Sequence, residues 1–211
     1  MVFHSYQFIL GFLPAVYVAF VVAHRLGGWP AAFKVLIAAS VAFYAQWSIW
    51  LAAVLLGSVV VNYAAGELIM ALASNRRAAR QTLMVAVGLN LAGLGYFKYS
   101  NFLIDIVNEV GGTGYSHISL LLPVGISFFT FVQIGYLVEA YNGQVERPGF
   151  SRYMLFATFF PCLTAGPLVL QREMFDQMRR RDDRAFEAQR LAVGLTMFGM
   201  GLFKKVVLAD S

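Results

Sequence analysis

The sequence predicts an all-α chain: a polytopic transmembrane helical bundle containing one re-entrant, broken helix. Of its 211 residues, 59% are hydrophobic and only 13% charged, with a mean hydropathy of +0.67. A soluble domain carries about 25% charged residues, because it must cover its core with polar groups. The apolar residues fall in runs near the roughly 20 that a helix needs to cross about 30 Å of hydrocarbon. The cations collect between those runs, so the net charge of +5 reads as loop charge that orients the chain, and no nucleic-acid partner is expected. One cysteine, Cys162, and three histidines exclude a disulfide framework and leave no Cys- or His-rich metal site.

Residues 8–23 form the first expected span, without charge from the start of the chain to Arg25. Residues 1–7 hold no Lys or Arg, so the basic n-region of a signal peptide is missing and the span is expected to be retained. Residues 33–47 form the second, closing on the aromatic cluster Tyr44, Trp47 and Trp50, which suits a membrane interface. Residues 51–73 and 82–97 give the third and fourth. After the amphipathic stretch 101–110 and the turn-forming Gly111, Gly112 and Gly114, residues 118–138 give the fifth. Residues 153–170 and 191–208 are weaker segments, and 171–190 is the one long polar stretch. All of it reads as part of a single membrane domain over 1–211.

Lys and Arg in short loops set orientation. Arg25 and Lys34 flank the first loop and Arg76, Arg77 and Arg80 fill the third, while the amino terminus and second loop have none, which places the amino terminus outside. If 153–170 crossed fully, Arg172, Arg179, Arg180, Arg181, Arg184 and Arg190 would lie outside, against the rule. The same segment holds Pro161, Gly166 and Pro167, which break a helix and free backbone groups that a protein-lined cavity can satisfy and lipid cannot. Residues 153–170 are therefore expected to enter from the cytoplasm and return. In 171–190, Met174, Phe175, Met178 and Phe186 share a face apart from the arginines. That describes an interfacial helix on anionic lipid, with a phosphate-bearing donor held by Arg179, Arg180 and Arg181 as the sharper alternative.

Polar residues at bilayer depth are costly and become site candidates. Asn62 and Glu67 on the third span, Asn90 on the fourth, and Ser127, Thr130 and Gln133 on the fifth qualify. Ser127, Thr130 and Gln133 follow at intervals of three, so all can line one face; interhelical hydrogen bonding is their plainer role. His4, His24 and His117 lie at span ends, where an imidazole is solvated, and Cys162 has no neighbouring cation to activate its thiol. No GxSxG, Walker A or HExxH motif is present. Local chemistry alone yields no active site.

Five blocks point further: MVFHSYQFILGFLP (1–14), GLGYFKYSNF (93–102), LLPVGISFFTFVQIGYLVEAYNGQV (121–145), FATFFPCLTAGPLV (156–169) and GLFKKVVLAD (201–210). In order and interval they resemble the membrane-bound O-acyltransferase (MBOAT) family over essentially the whole chain, nearest its alginate O-acetylation branch. The resemblance implies a multi-pass enzyme of the bacterial inner membrane, with a funnel through the bilayer and no bound cofactor. It takes an acyl group, acetyl in that branch, from a cytoplasmic donor expected to be acetyl-CoA. It passes the group toward an extracytoplasmic polysaccharide such as alginate, with periplasmic acetyl-transfer proteins as partners. Lys98, Tyr99 and Asn101 match the family's FKYxN block, Phe159, Phe160, Pro161, Gly166 and Pro167 its FFP and AGP block, and Lys204 and Lys205 its FKK block. With Ser127, Thr130 and Gln133 these are the candidates for the funnel or substrate path; no metal is implied. Cys162 departs from the family, where Gln is usual.

Family members run to roughly twice this domain-sized length, with the catalytic histidine in the second half, and none of the three histidines here matches that motif. The resemblance therefore implies that the catalytic histidine lies beyond Ser211. The chain is expected to be an amino-terminal part of the MBOAT fold, without a catalytic residue of its own and inactive alone. Two other classes compete. A transporter or channel half would also use broken helices and polar stripes, but predicts an internal repeat that comparison of the spans before and after Ser100 does not show. A non-catalytic membrane scaffold is the third.

Overall fold

The computed structural model describes residues 5–118, 122–145, 147–163, 171–180 and 188–209. Among them there is no strand. A π-helical turn, Gln7–Phe12, leads into α1 (Leu13–Ala45), followed by α2 (Ile49–Ala71), α3 (Arg76–Gly111), α4 (Ile126–Tyr141), α5 (Phe150–Thr158), α6 (Phe160–Leu163), α7 (Gln171–Arg180) and α8 (Ala188–Phe203), which ends in a second π-helical turn, Lys204–Ala209. The chain divides into two compact units, residues 1–39 with 176–211, and residues 40–175.

In the first unit, the connection expected between the first two spans, at 24–32, is a kink inside α1. Gly28 alone leaves helical geometry, with φ 65° and ψ −164°. Glycine reaches positive φ without a Cβ clash, and Pro30 follows within the first turn of the resumed helix, where its missing N–H costs nothing. The Trp29 ring meets Phe20, His24 and Phe33 at centroid distances of 6.2, 4.8 and 5.8 Å. α8 has no buried residue.

The second unit is built on α2, α3 and α4, packed pairwise, with α5 against α2 and α4. Ser48 caps α2 by accepting from Leu51 N, and Asn75 caps α3 by accepting from Ala78 N at 3.2 Å. These bonds occupy amides that a helix start leaves without partners. Gly112, at φ 61°, ends α3 in the left-handed conformation usual for a helix terminus. The chain then runs back along α3. Asn108 donates to Tyr115 O and accepts from Tyr115 N, both at 2.9 Å; Asn101 does the same with Ile118, at 3.1 and 2.9 Å; and His117 Nε2 meets Asp105 Oδ1 at 2.5 Å. The amphipathic stretch expected at 101–110 thus carries its polar face to hold its own connector.

A helix expected from 118 begins only at Ile126. Pro123 accepts from Ile126 N at 3.1 Å to close a turn, and Gly125 takes φ 73°, so residues 122–125 cannot be helical. The buried Tyr44 hydroxyl donates to Val124 O at 2.9 Å, tying this turn to the end of α1. At the other end Arg76 donates to Tyr141 O at 2.8 Å and lies 4.6 Å over its ring. The segment expected to break at 153–170 does so at Phe159, whose ψ is 108°. Pro161 has no N–H for the carbonyl of Ala157, so α5 cannot pass through it. Residues 164–170, including Gly166 and Pro167, lie outside the described residues, as do 181–187, Asp210 and Ser211.

Two helical stretches among the described residues are long and apolar enough to cross a membrane, Gln7–Ala45 and Ile49–Ala71; α4 is apolar but only 16 residues long, about 24 Å. Gly66 on α2 faces the Tyr136 ring on α4, and a Cβ there would overlap Cε1, Cζ and Oη of that tyrosine. Gly66→Val is expected to destabilise the bundle by about 1–3 kcal/mol through overpacking, read as a lowered thermal midpoint of the purified protein. Tyr136→Leu in the same chain should recover part of the loss.

Candidate functional site

Four side chains from three helices meet in the second unit. Ser58 and Asn62 stand one turn apart on α2, Asn90 on α3 and Gln133 on α4. Ser58 Oγ donates to Gln133 Oε1 at 2.7 Å, and Asn62 Nδ2 donates to the same oxygen and to Asn90 Oδ1 at 3.2 Å. Asn90 Nδ2 returns a bond to Asn62 Oδ1 at 2.6 Å and another to Ala86 O at 2.8 Å. Asn62 and Gln133 are buried to 3% and 0% exposure. Among the described residues Gln133 Nε2 has no hydrogen-bond partner. Amides and hydroxyls of this kind hold helices and donate hydrogen bonds, but none exchanges a proton near neutral pH.

Beside this network a cavity of about 310 Å³ opens among α2, α3 and α4. Val54, Ser58, Val61, Asn62, Leu89, Asn90, Gly93, Leu94, Phe97, Ile126, Phe129 and Thr130 line it. Next to Phe97 and Ile126, Lys98 Nζ donates to Ser127 Oγ at 3.4 Å and stands 5.3 Å over the Tyr99 ring. Of the expected path residues, Thr130 lines the cavity, Gln133 belongs to the network beside it, and Lys98 and Ser127 meet next to its Phe97 and Ile126, with the Lys98 ammonium over Tyr99. Asn101 is committed to Ile118 in the connector.

The broken segment is a second feature of this unit. Phe160 is buried against Phe43, 5.5 Å between centroids, while Phe159 is half-buried, Pro161 exposed and Cys162 half-buried. The break frees backbone amides, as the prolines suggested, but Phe160 N donates to Ser40 Oγ at 3.2 Å. Of the freed amides the structure describes, that one is thus spent inside the protein. Lys204 and Lys205 are exposed residues of the first unit. Ser211, beyond which the catalytic histidine is expected, falls outside the described residues.

A cluster of buried oxygens lies around α4 and α5. The Tyr136 and Tyr153 rings meet at 4.4 Å, tilted by 44°, and among the described residues neither hydroxyl has a hydrogen-bond partner; nor has Glu67 Oε1. Tyr63 donates to Pro148 O at 3.3 Å. Among the described residues no group of three His, Cys, Asp or Glu is placed to hold a metal ion.

Sequence reasoning singled out Asn62, Glu67, Asn90 and Gln133 one by one and missed Ser58 and Ser40. Ser58 was findable, since it precedes Asn62 by four residues and so shares its face. Ser40 was not, because its partner is 120 residues away in sequence.

Over its full length the chain is 33% identical to the "Peptidoglycan O-acetyltransferase" of Helicobacter pylori, covering 45% of that protein. It is 36% identical to the "Probable alginate O-acetylase AlgI" of Pseudomonas aeruginosa, again over its full length, covering 40%. Over its whole length the chain is thus similar to part of the MBOAT-type acyltransferases. With the "Teichoic acid D-alanyltransferase" of Lacticaseibacillus rhamnosus it shares 27% identity over 44% of its length, covering 23% of that protein. It thus spans less than half the length of each of these relatives. No family model and no solved structure matches it.

The network suggests its own measurement. In a double-mutant cycle of Asn62→Leu and Gln133→Leu, thermal unfolding is expected to give a favourable coupling of about 0.6 kcal/mol and at most about 1.7, the range of interhelical hydrogen bonds in membrane proteins.

Proposed function

We propose that these 211 residues form part of a multi-pass membrane O-acetyltransferase, which passes an acetyl group from a cytoplasmic donor toward an extracytoplasmic polysaccharide. The observation that carries this reading is the end-to-end similarity to proteins named for O-acetylation of peptidoglycan and alginate. Acetyl-CoA as donor, periplasmic acetyl-transfer proteins as partners and the bacterial inner membrane as location are parts of the same proposal. So are the amino terminus outside and the helices beyond α2 as further spans of one bundle.

In such a transfer the acceptor hydroxyl attacks the thioester carbonyl, a base takes the hydroxyl proton, and the thiolate leaves as the tetrahedral intermediate collapses. A histidine suits the proton transfer, its unperturbed pKa lying near neutrality, and hydrogen-bond donors must meet the developing oxyanion. Among the described residues His24 packs on Trp29 and His117 on Asp105, and neither is in the gathered cluster. The proposal therefore assigns the base to another part of the protein and gives these residues a share of the path. On this reading the 211 residues alone do not transfer acetyl.

Membrane vesicles of the host carrying the full-length protein and loaded with labelled acetyl-CoA are expected to label polysaccharide or peptidoglycan on the far side, and vesicles from a gene deletion are not. Equal labelling in both would overturn the reading. Independently, Arg172→Cys and Arg190→Cys are expected to react with impermeant maleimide only from the cytoplasmic face. Reaction from outside would invert the proposed course of 153–170.

A further inference from the structure

The cavity among α2, α3 and α4 has an open side. Two of its lining residues, Val61 on α2 and Leu89 on α3, are 53% and 59% exposed, so it is a groove entered from the flank of the bundle. Three of its four polar lining residues are spent within the protein. Both Asn90 amide hydrogens go to Asn62 and Ala86, the Ser58 proton goes to Gln133, and Asn62 donates within the same network. What remains for an occupant is mostly hydrocarbon wall: Val54, Leu89, Leu94, Phe97 and Phe129. The volume, about 310 Å³, is at the small end of ligand sites.

A cation stands at one end of the groove. Lys98 follows Phe97 directly, is exposed, holds Ser127 only at 3.4 Å, and has no carboxylate within ion-pair distance among the described residues. It lies 22 residues along α3 from Arg76, about 33 Å of helix, which is close to one hydrocarbon thickness. With α3 a span, as proposed above, Arg76 and Lys98 fall at opposite membrane boundaries on one helix. From Phe97 to Asn90 the groove runs back seven residues, about 10 Å, within the roughly 15 Å depth of one leaflet.

We propose that this groove holds one acyl chain of an anionic phospholipid from the leaflet at the Lys98 end, with the lipid phosphate on Lys98 Nζ. Charge complementarity chooses the occupant, since an uncompensated ammonium at the headgroup boundary meets a phosphate while the chain continues into an apolar slot of leaflet depth. The inference rests on the membrane-embedded part of the proposal above and not on acetyl transfer.

The full-length protein in nanodiscs of equal phosphatidylglycerol and phosphatidylcholine is expected to retain one lipid after transfer to detergent, counted by native mass spectrometry. The anionic lipid should be favoured about fivefold, the preference that one cation at a membrane surface supplies. Lys98→Gln should remove the preference, Lys98→Arg should keep it, and Leu89→Trp should displace the lipid. No retained lipid in the wild type, no preference there, or a preference that survives Lys98→Gln would each overturn the proposal. Failure of Leu89→Cys to react with a bilayer-confined maleimide in the native membrane would also overturn it, by showing the groove covered by protein. None of these readings depends on acetyl transfer, so the two proposals fail separately.

Discussion

Four side chains hold three helices in one register. Ser58, Asn62, Asn90 and Gln133 close a hydrogen-bonded network across α2, α3 and α4, and in an apolar environment such groups have few other partners. Rotating any of the three helices by one residue would carry its polar group out of the network. That would strand amides and hydroxyls where desolvation is costly. Close contact is possible because Gly66 makes room for the Tyr136 ring.

The ends of the bundle are tied by different chemistry. At one end Arg76 reaches the last carbonyl of α4 and covers the Tyr141 ring. At the other, Asn101 and Asn108 hold the backbone of the returning connector in paired bonds, and Tyr44 holds the turn before α4. Each device satisfies backbone groups that lie outside regular helix. The break at Phe159 follows the same rule. Its freed amide finds Ser40 rather than water, so the irregular backbone there is fixed rather than loose. The Phe160 amide, spent on Ser40, is not free to donate elsewhere.

Helical character, the apolar runs and the candidate polar residues were legible because composition and spacing express them directly. The break at Pro161 was named from the sequence, while those at Gly28 and at Pro123 with Gly125 were passed over, although all of these residues act through their own backbone. Their consequences were less legible. A loop expected at 24–32 is one kinked residue, and a helix expected from 118 waits until Ile126, because a turn or a kink is decided by what the flanking segments pack against. Similarity marked Lys98 and Asn101, and polarity within an apolar run marked Ser127, yet Asn101 serves the connector while the other two meet beside the cavity.

The chain by itself determined that it is helical, that its apolar residues fall in long runs, and which family it resembles. Those properties are sums over side chains or matches of local blocks. Only the tertiary structure decided that Ser58 completes a network with residues on two other helices, that Ser40 satisfies an amide 120 residues away, and that a groove ends at Lys98. Those facts depend on helix register and separation. Contacts between distant segments, each worth about a kilocalorie, set both, and no single stretch of sequence encodes them.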